Sequence, residues 1–508
     1  MNEQERTRIN NANHELAKGL EPRKVFEFFA DICAIPRGSG NMGKFGDFLV
    51  AFAERQGLAS QRDAAGNVII RKPAQYMSSS HGVILQAHQD MVCVKNAEAE
   101  HDFSIDPIEL LQKSGWLHAK GTTMGADDGI GVALALGILA DQEIPHPPLE
   151  ALFTVDEETD MKGAKAIRAE DLRGDTLINL DAEDLNIAYV SSAAGVALAL
   201  ELPLEREREP RAGWVCKKIL LDGLLGGHSG IEINRARANA YVLLARFINA
   251  ASKKEPGISV HFFGQNGAHG ADNAIPDRAC ARVSIAPDAT AGLTALAQHW
   301  EAVFRNEYRS SDPNIRLRVE DDDTDTPLLP MTMASSDKLL RTVQLLMLGA
   351  FRFIQTGDLM KIPYGELLVE TSCNLGIVSM EENIASLTLL ARGSTQSVLD
   401  DLVERIAMLA TTSGGRLRVT NRTSGWEMPK APTPVQLLFQ SQGLECKGVH
   451  AGLECGCLVE IFEKSGRNLD AISIGPDLKD VHSHQERLHI GSVGELWRQL
   501  LAVLAALK

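Results

Sequence analysis

The sequence predicts an α/β protein in which a mixed, mostly parallel sheet with helices on both faces is interrupted by an inserted α+β domain. At 508 residues the chain is longer than one hydrophobic core usually fills, so two domains are expected. Strand-like and helix-like apolar runs also alternate at both ends of the chain, as in parallel sheets covered on both faces. We expect residues 1–194 and 415–508 to form a discontinuous first domain around an insertion at 195–414.

The first domain opens with two predicted amphipathic helices. Pro22 suits a helix first turn and precedes apolar residues at helical spacing, and the breaker cluster 35–40 ends this helix. A second helix at Gly43–Arg55 should end at Gly57. Short apolar runs then predict four strands and one long helix. In order, these are the strands Val68–Ile70 and Val83–Ala87, the helix Ile130–Ala140, and the strands Leu152–Val155 and Leu177–Leu180.

After Gly195 the pattern changes to that of a separate α+β unit. The predicted strands are Val196–Leu202, Val215–Leu221, Ile258–Phe263, Ala281–Ile285 and Ile384–Leu390, and the predicted helices are Ala236–Ala250, Thr290–Phe304, Ser336–Phe351 and Ser397–Ala410. The strand and helix alternation resumes from Arg416, with a strand at Ala471–Ile474. The pattern Ser492-x-x-Glu495 predicts a capping box that opens the final helix.

Composition excludes several classes of partner. The formal net charge of -16 argues against nucleic acid and anionic membrane, because both need clustered Lys and Arg. The eight cysteines show no zinc-ribbon or redox spacing and are predicted to be buried thiols in a reducing compartment. The amino-terminal residues lack an apolar signal core, and no run reaches membrane-spanning length. We therefore expect a cytoplasmic protein.

Three strands of the first domain end in histidine or acidic residues. His88-Gln89-Asp90, Asp156-Glu157-Glu158 and Asp181 follow the three strands, and Asp127 lies in a glycine-flanked loop between them. In an open α/β sheet the ligand crevice lies beyond the carboxyl ends of the strands, so these side chains should meet there. So many carboxylates in one crevice would repel each other unless a cation held them. The sequence therefore predicts a metal site.

Each of these motifs has an ordinary explanation when taken alone. A His-x-Asp pair is more often a hydrogen-bonded surface pair than a ligand set. The loop Gly125–Gly131 resembles a nucleotide loop but lacks the Gly-Lys-Ser/Thr of a phosphate loop and the glycine spacing of a dinucleotide fingerprint. The acidic run 156–158 is compatible with a solvated turn. Their coincidence at strand ends favours the metal site.

The residue types also indicate the chemistry. Imidazole and carboxylate ligands suit zinc or another borderline divalent metal. Two such ions that share a bridging carboxylate can hold a water that becomes a hydroxide-like nucleophile at neutral pH. A glutamate that does not bind metal can take the proton of this water and pass it to a leaving amine. The adjacent Glu157 and Glu158 offer one residue for each role.

Taken together, these residues resemble those of the co-catalytic zinc exopeptidases of the aminoacylase and carboxypeptidase type. More closely, the chain resembles the bacterial aminoacyl-histidine dipeptidases, also called Xaa-His dipeptidases or peptidase D. The resemblance covers nearly the whole chain and is carried by the stretches Val369–Gly376, Val419–Arg422, His450–Gly456 and His482-Ser483, together with His88-x-Asp90, Gly125-Ala126-Asp127, Glu157-Glu158 and Asp181.

The resemblance implies a role for each matching residue. Asp127 would bridge two divalent ions, which are expected to be Zn²⁺, with Mn²⁺ or Co²⁺ as alternatives. His88 and Asp181 would complete one site, and Glu158 and His482 the other. Glu157 is the implied general base. Asp90 would be a carboxylate that orients the His88 ring, with a helix or turn cap as its alternative role.

The inserted domain resembles a lid and dimerisation domain. His228, in Gly226-Gly227-His228-Ser229-Gly230, matches a histidine that polarises the scissile carbonyl and usually reaches the partner subunit's active site, which implies a homodimer. Its alternative is a histidine in a glycine turn. Asn273 and Arg392 resemble positions that bind the substrate carboxylate, for which the planar guanidinium of arginine is well suited. Asp128 and Asp156 depart from the pattern and add carboxylates near the metals.

The expected function is therefore a metal-dependent dipeptidase that hydrolyses Xaa-His and related dipeptides. It would act through a hydroxide bound to two zinc ions, with a glutamate as general base. Two alternatives stay open. One is an N-acyl amino acid amidohydrolase or broader dipeptidase of the same family, and the other is a catalytically silent metal-binding interaction protein.

Overall fold

The computed structural model describes residues 1–77, 81–265, 270–322, 328–354 and 368–507. Up to the insertion, the helices are α1 (Glu3–Ala17), α2 (Arg23–Cys33), α3 (Gly43–Arg55), α4 (Ala126–Ala140), α5 (Glu157–Asp160) and α6 (Lys162–Ala166). The strands of this part are β1 (Ala59–Arg62), β2 (Val68–Lys72), β3 (Val83–His88), β4 (Leu110–Lys113), β5 (Trp116–Ala119), β6 (Leu149–Thr154), β7 (Thr176–Asn179) and β8 (Ile187–Ser192).

The middle of the chain contains the helices α7 (Ala240–Lys254), α8 (Thr290–Glu307), α9 (Met333–Leu345) and α10 (Gln396–Thr412). Its strands are β9 (Ala194–Pro203), β10 (Val215–Asp222), β11 (Gly227–His228), β12 (Ser259–Gly264), β13 (Ala274–Ile275), β14 (Ala279–Ile285), β15 (Arg316–Asp321), β16 (Gly349–Ile354), β17 (Leu368–Met380), β18 (Ile384–Gly393) and β19 (Arg416–Thr423). The carboxy-terminal part contains α11 (Pro434–Ser441), β20 (Glu445–Val449), α12 (Glu454–Lys464), β21 (Asp470–Ser473), β22 (Leu478–Lys479), β23 (Arg487–His489) and α13 (Ile490–Ala506). Short 3-10 helices lie at Ala169–Asp171, Ile233–Arg235 and Pro287–Ala289.

An eight-stranded mixed sheet forms the centre of the first domain, in the order β1-β2-β6-β3-β7-β21-β8-β20. The central strands β6, β3, β7 and β21 run parallel. On one side β2 pairs antiparallel with β6, and β1 pairs antiparallel with β2 at the edge. All residues of β3, β6 and β7 are buried, which explains why these strands are continuous apolar runs rather than alternating ones. The predicted α/β class and mostly parallel sheet are confirmed.

The parallel arrangement positions the polar strand ends. β3 lies between β6 and β7, with His88 opposite Thr154 and Gln86 opposite Asn179. The residues that follow these three strands therefore emerge side by side at one edge of the sheet. Helix α4 packs on β3 and α2, and its nearly complete burial explains its apolar sequence on every face.

The middle of the chain has a separate hydrophobic core. The four-stranded sheet β12-β14-β10-β15 and the five-stranded sheet β16-β17-β18-β9-β19 share this core with α7 to α10. Strand β19 pairs with β9, so the chain rejoins the first sheet only at β20. The two cores support the predicted division into two domains, whose boundaries stay a prediction.

Three local predictions were wrong. The helix expected over Ser336–Phe351 ends at Leu345, because Leu346 is already extended with a ψ of 131° and the chain continues as β16 from Gly349. Ser492 does not open the final helix, because the His489 ring accepts the Ser492 N–H at 3.2 Å and is the cap. Cys93 and Cys216 are exposed rather than buried, although the other six cysteines are buried and all eight are free. Across the described ranges, no helix combines the length and apolarity needed to cross a membrane.

Candidate metal centre

Five side chains that could bind metal meet at the carboxyl edge of the first sheet. The Nε2 atom of His88 lies 3.0 Å from one oxygen of Asp127 and 3.4 Å from Asp181. The Nε2 atom of His482 lies 3.1 Å from the other oxygen of Asp127 and 3.0 Å from Glu158. Asp127 thus stands between two histidines, each of which faces one further carboxylate. The structure brings together all five residues predicted as metal ligands.

Each donor comes from a different segment of the first domain. His88 is the last residue of β3, Glu158 lies in the short helix after β6, and Asp181 lies two residues beyond β7. Asp127 enters from the loop that begins α4, and His482 from the loop after β22. His88, Glu158 and Asp181 follow neighbouring parallel strands, so their proximity is a consequence of the strand order.

The donor set fits a pair of divalent ions. His88, Asp127 and Glu158 place one ligand atom each within 4.8 Å of one another, as do His88, Asp128 and Asp181. Imidazole nitrogens and carboxylate oxygens are zinc ligands, and Asp127 offers one oxygen to each half of the cluster. A buried oxygen of Glu158, Oε1, has no hydrogen-bond partner among the described residues. A cation would give this oxygen a partner.

The electrostatics of the cluster also favour cations. Burial raises the pKa of Asp181 to about 7, and burial together with neighbouring carboxylates raises the pKa of Glu157 well above its usual range. Burial would lower the pKa of His482, but hydrogen bonds to Asp127 and Glu158 raise that pKa to about 11. Metal ions bound here would neutralise the carboxylate charges in place of protons.

Asp90 holds the first histidine and the glutamate turn in place. Its carboxylate lies 3.5 Å from His88 Nδ1 and accepts hydrogen bonds from the N–H groups of Glu157 at 3.1 Å and Glu158 at 3.3 Å, and from Ser39 Oγ at 2.8 Å. Burial would raise the pKa of Asp90, but His88 and these donors lower it to about 2. The residue therefore stays ionised and lies where a carboxylate would orient the His88 ring.

The two unexpected acids have structural partners. Asp128 accepts hydrogen bonds from the N–H groups of His88 at 3.2 Å and Gly131 at 3.1 Å, and burial raises its pKa well above the usual range. Asp156 accepts the Gly40 N–H at 2.8 Å. Both residues therefore hold backbone segments of the site, and Asp128 is also close enough to His88 and Asp181 to belong to one candidate ligand group.

His228 and Arg392 meet in the inserted domain and face the first domain of the same chain. Burial and the neighbouring Arg392 lower the pKa of His228 to about 4. The Nδ1 atom of His228 accepts the N–H groups of Gly230 at 3.2 Å and Ile231 at 3.1 Å, so its proton resides on Nε2. Gly230 packs so closely that a Cβ would lie 2.4 Å from the carbonyl oxygen of His450. His482 contributes to the electrostatic environment of His228, so this imidazole lies near the candidate metal cluster of its own chain.

Arg392 and Asn273 border this histidine. Arg392 is 7% exposed, its Nε atom has no hydrogen-bond partner among the described residues, and burial lowers its pKa to about 10. Asn273 is exposed beside the histidine loop, and its carbonyl oxygen accepts the Ser229 N–H at 2.8 Å. The pairing of β11 with β13 places His228 opposite Ala274, which explains why Asn273 lies next to it.

Three buried polar residues at the site were not recognised from the sequence. Arg37 donates from Nη1 to the carbonyl oxygens of Gln89 at 2.9 Å and Asp90 at 2.7 Å. Glu454 accepts hydrogen bonds from side chains on β3 and β6, and burial raises its pKa to about 7. Glu486 accepts four backbone N–H groups around Asp127. Glu454 and Glu486 each lie four residues after a histidine of a family-like segment, His450 and His482, and that proximity was the available signal.

The fold and the paired donor cluster define a metal-dependent hydrolase of peptide bonds. Residues 84–506 match the model of peptidase family M20/M25/M40, and the chain belongs to that family.

Individual relatives are similar to this chain over nearly its full length. The chain is 36% identical over 493 residues to the cytosol non-specific dipeptidase of Escherichia coli strain K12. The aligned region covers 96% of this chain and 98% of that protein. The crystal structure of aminoacylhistidine dipeptidase from Vibrio alginolyticus matches with a TM-score of 0.78 and 32% identity over 97% of this chain and 98% of that one. A tripeptidase from Staphylococcus aureus shares the fold, with a TM-score of 0.56 and 16% identity over 96% and 99% of the two chains.

Proposed function

We propose that this protein is a cytoplasmic dipeptidase that uses two zinc ions to hydrolyse Xaa-His and related dipeptides. The observation that carries the proposal is the placement of Asp127 between two histidines, each paired with a second carboxylate. His88 and Asp181 would hold one ion and His482 and Glu158 the other. Zinc suits these ligands, and Mn²⁺ or Co²⁺ are the alternatives.

The residues around the cluster supply the remaining chemistry. Bound ions would lower the pKa of water and polarise the scissile carbonyl. Glu157 would accept a proton from the attacking water and deliver it to the leaving amine. No side chain among the described residues donates a hydrogen bond to the Glu157 carboxylate, which leaves it available to water and substrate. Its raised pKa favours the uptake of a proton.

The inserted domain would bind and orient the substrate. The Nε2–H group of His228 would donate a hydrogen bond to the carbonyl oxygen as negative charge develops on it. Arg392 would bind the terminal carboxylate of the dipeptide, because its buried guanidinium has no ion-pair partner within 4 Å in the described part of the chain. Asn273 would donate a second hydrogen bond to the same group.

The substrate class rests on the relatives. The Vibrio alginolyticus protein is named for aminoacyl-histidine substrates and the Escherichia coli protein for a non-specific dipeptidase activity. We therefore propose Xaa-His dipeptides as good substrates within a wider range of dipeptides. The Escherichia coli protein is named as a cytosol enzyme, which supports a cytoplasmic location for this protein.

The resemblance also implies a homodimer in which His228 serves the partner subunit. In this chain His228 lies beside Arg392, and His482 of the same chain contributes to its electrostatic environment. The homodimer stays a prediction, and sedimentation of the zinc-loaded protein over a range of concentrations tests it. A single monomeric species with full activity would contradict it.

Two neighbouring glutamates provide the direct test of the function. Wild-type protein loaded with zinc should release histidine from Ala-His. Glu157→Gln should retain both ions and lose turnover, whereas Glu158→Gln should lose metal as well, because only Glu158 is a proposed ligand. Full activity in Glu157→Gln would contradict the general base assignment.

A substrate panel separates the alternative activities. N-acyl amino acids lack the free α-amino group of a dipeptide, so a dipeptidase should hydrolyse Ala-His in preference to N-acetyl-histidine. The opposite preference would identify an N-acyl amino acid amidohydrolase. Stoichiometric metal binding without hydrolysis of any amide would identify a catalytically silent metal-binding protein.

A further inference from the structure

Glu486 is a buried carboxylate whose hydrogen bonds converge on one loop. Its Oε2 atom accepts the N–H groups of Met124 at 2.7 Å and Gly125 at 3.0 Å. Its Oε1 atom accepts the N–H of Ala126 at 2.8 Å and lies 3.4 Å from the N–H donor of Asp127. The residue is 2% exposed, and no lysine, arginine or histidine of the described chain lies within ion-pairing distance of it. Backbone N–H groups are therefore its principal partners.

The loop is shaped to present these N–H groups to an anion. Gly125 has a φ of 68°, which turns successive N–H groups towards one point at the start of α4. A Cβ at Gly125 would lie 2.6 Å from the Arg37 guanidinium, so only glycine fits this turn. The first N–H groups of a helix lack intrahelical partners, and a carboxylate is their natural complement.

This contact joins two segments that carry metal-binding residues. The loop contains Asp127, the shared donor of the two halves of the cluster. Glu486 lies four residues after His482 on the segment between β22 and β23. The hydrogen bonds of Glu486 therefore restrain the position of Asp127 relative to His482, across more than 350 residues of sequence. Arg37 restrains the same loop from the other side by donating to the carbonyl oxygen of Gly125.

We propose that Glu486 is a positioning residue that sets the geometry of the shared donor Asp127 and thereby the affinity for the second of two metal ions. The inference rests on the metal pair of the proposed function but concerns a residue that touches neither metal nor substrate. Metal affinity depends on ligand placement, and loss of a residue that orients a ligand typically lowers affinity by about 10- to 100-fold.

The chain offers a matched control for a purely structural role. Glu150 is also buried, and its Oε2 atom accepts the backbone N–H groups of Arg173 at 2.6 Å and Gly174 at 2.9 Å. It lies near the start of β6, whereas the metal cluster lies beyond the other end of that strand. Its Oε1 atom also pairs with Arg71 at 2.9 Å, so Glu150→Gln removes a buried carboxylate with both backbone and ion-pair partners without disturbing Asp127.

The test is a titration of the metal-free protein with Zn²⁺ in competition with a chromophoric chelator, supported by the visible spectrum of the Co²⁺-loaded protein. Wild type should bind two ions. Glu486→Gln should bind the second ion about 10- to 100-fold more weakly and show a changed Co²⁺ spectrum, because the amide presents N–H donors to backbone N–H donors. Glu150→Gln should lose thermal stability while its two zinc affinities stay at the wild-type values.

Several outcomes would overturn the inference. One is wild-type affinity for both ions and an unchanged spectrum in Glu486→Gln, and another is an equal loss of affinity in Glu150→Gln. If Glu486→Gln does not fold, Glu486→Asp carries the test, since it keeps the charge but has a shorter reach and should show a smaller loss of second-ion affinity. Unchanged affinity in a folded Glu486→Asp would equally contradict the proposal. Failure of wild type to bind two ions or cleave dipeptides would instead contradict the proposed function.

Discussion

Replacement of Arg392 by methionine should make the protein more stable and less active. The guanidinium is 7% exposed, and its Nε atom has no hydrogen-bond partner in the described part of the chain. Burial lowers the pKa of Arg392 to about 10, so the charged form is less favourable in the folded protein than in the unfolded chain. At any pH below that value the arginine is still charged, so the folded state carries this cost throughout the neutral range.

Both effects have an expected size. The lowered pKa corresponds to about 3 kcal/mol, so the free energy of unfolding of metal-free Arg392→Met should rise by up to about 3 kcal/mol. Hydrogen bonds to charged groups contribute about 1.5 to 3 kcal/mol, and loss of this contact with the substrate carboxylate should lower kcat/KM by roughly 10- to 150-fold. A stability gain with an activity loss is typical of residues kept for function.

The assay compares a dipeptide with the corresponding dipeptide amide, which lacks the terminal carboxylate. Wild type should discriminate strongly between Ala-His and Ala-His amide, and Arg392→Met should lose most of that discrimination. Arg405→Met is the control, because Arg405 is 56% exposed on α10 and pairs with Asp401. The reasoning would be refuted if Arg392→Met lost equal activity towards both substrates, or if the variant were less stable than wild type.

Two further substitutions test the site. Asp90→Asn should weaken zinc binding by about 10- to 100-fold, because the amide places N–H groups against the N–H groups of Glu157 and Glu158. An unchanged zinc affinity in a metal titration would contradict the orienting role of Asp90. Because the pKa of Asp90 is lowered to about 2, this residue should add about 2 kcal/mol to the free energy of unfolding of the metal-free wild type above pH 4. Urea unfolding at a series of pH values should show that this contribution is lost as the pH falls towards 2. His228→Gln should lower kcat by about 100- to 1,000-fold with little change in metal content; an equal rise in KM with unchanged kcat would show a role in substrate binding alone.

Local patterns in the sequence were sufficient to predict the strand ends that carry the site. Val83–Ala87 and Leu177–Leu180 are apolar runs too short for helices, and their polar successors His88 and Asp181 could be assigned to one sheet edge. Because parallel strands bring their carboxyl ends together, the prediction of proximity needed no knowledge of distant contacts. The prediction for Asp127 and His482 rested on the family resemblance, since neither lies at the end of a strand of this sheet.

Other features depend on contacts between distant segments, which a local pattern does not record. Glu486 caps a loop about 360 residues earlier, and its closeness to His482 in the sequence does not indicate which backbone groups it binds. The placement of His228 near His482 depends on how the inserted domain sits on the first domain. The cap of the last helix was misjudged because a histidine ring took the role expected of a serine.

The most direct test of the central claim is a crystal structure of the zinc-loaded protein with anomalous scattering measured at the zinc edge. Two peaks are expected, one bound by His88 and Asp181 and the other by His482 and Glu158, with one oxygen of Asp127 on each. A single peak, peaks bound by other residues, or an Asp127 carboxylate that touches neither ion would contradict the account.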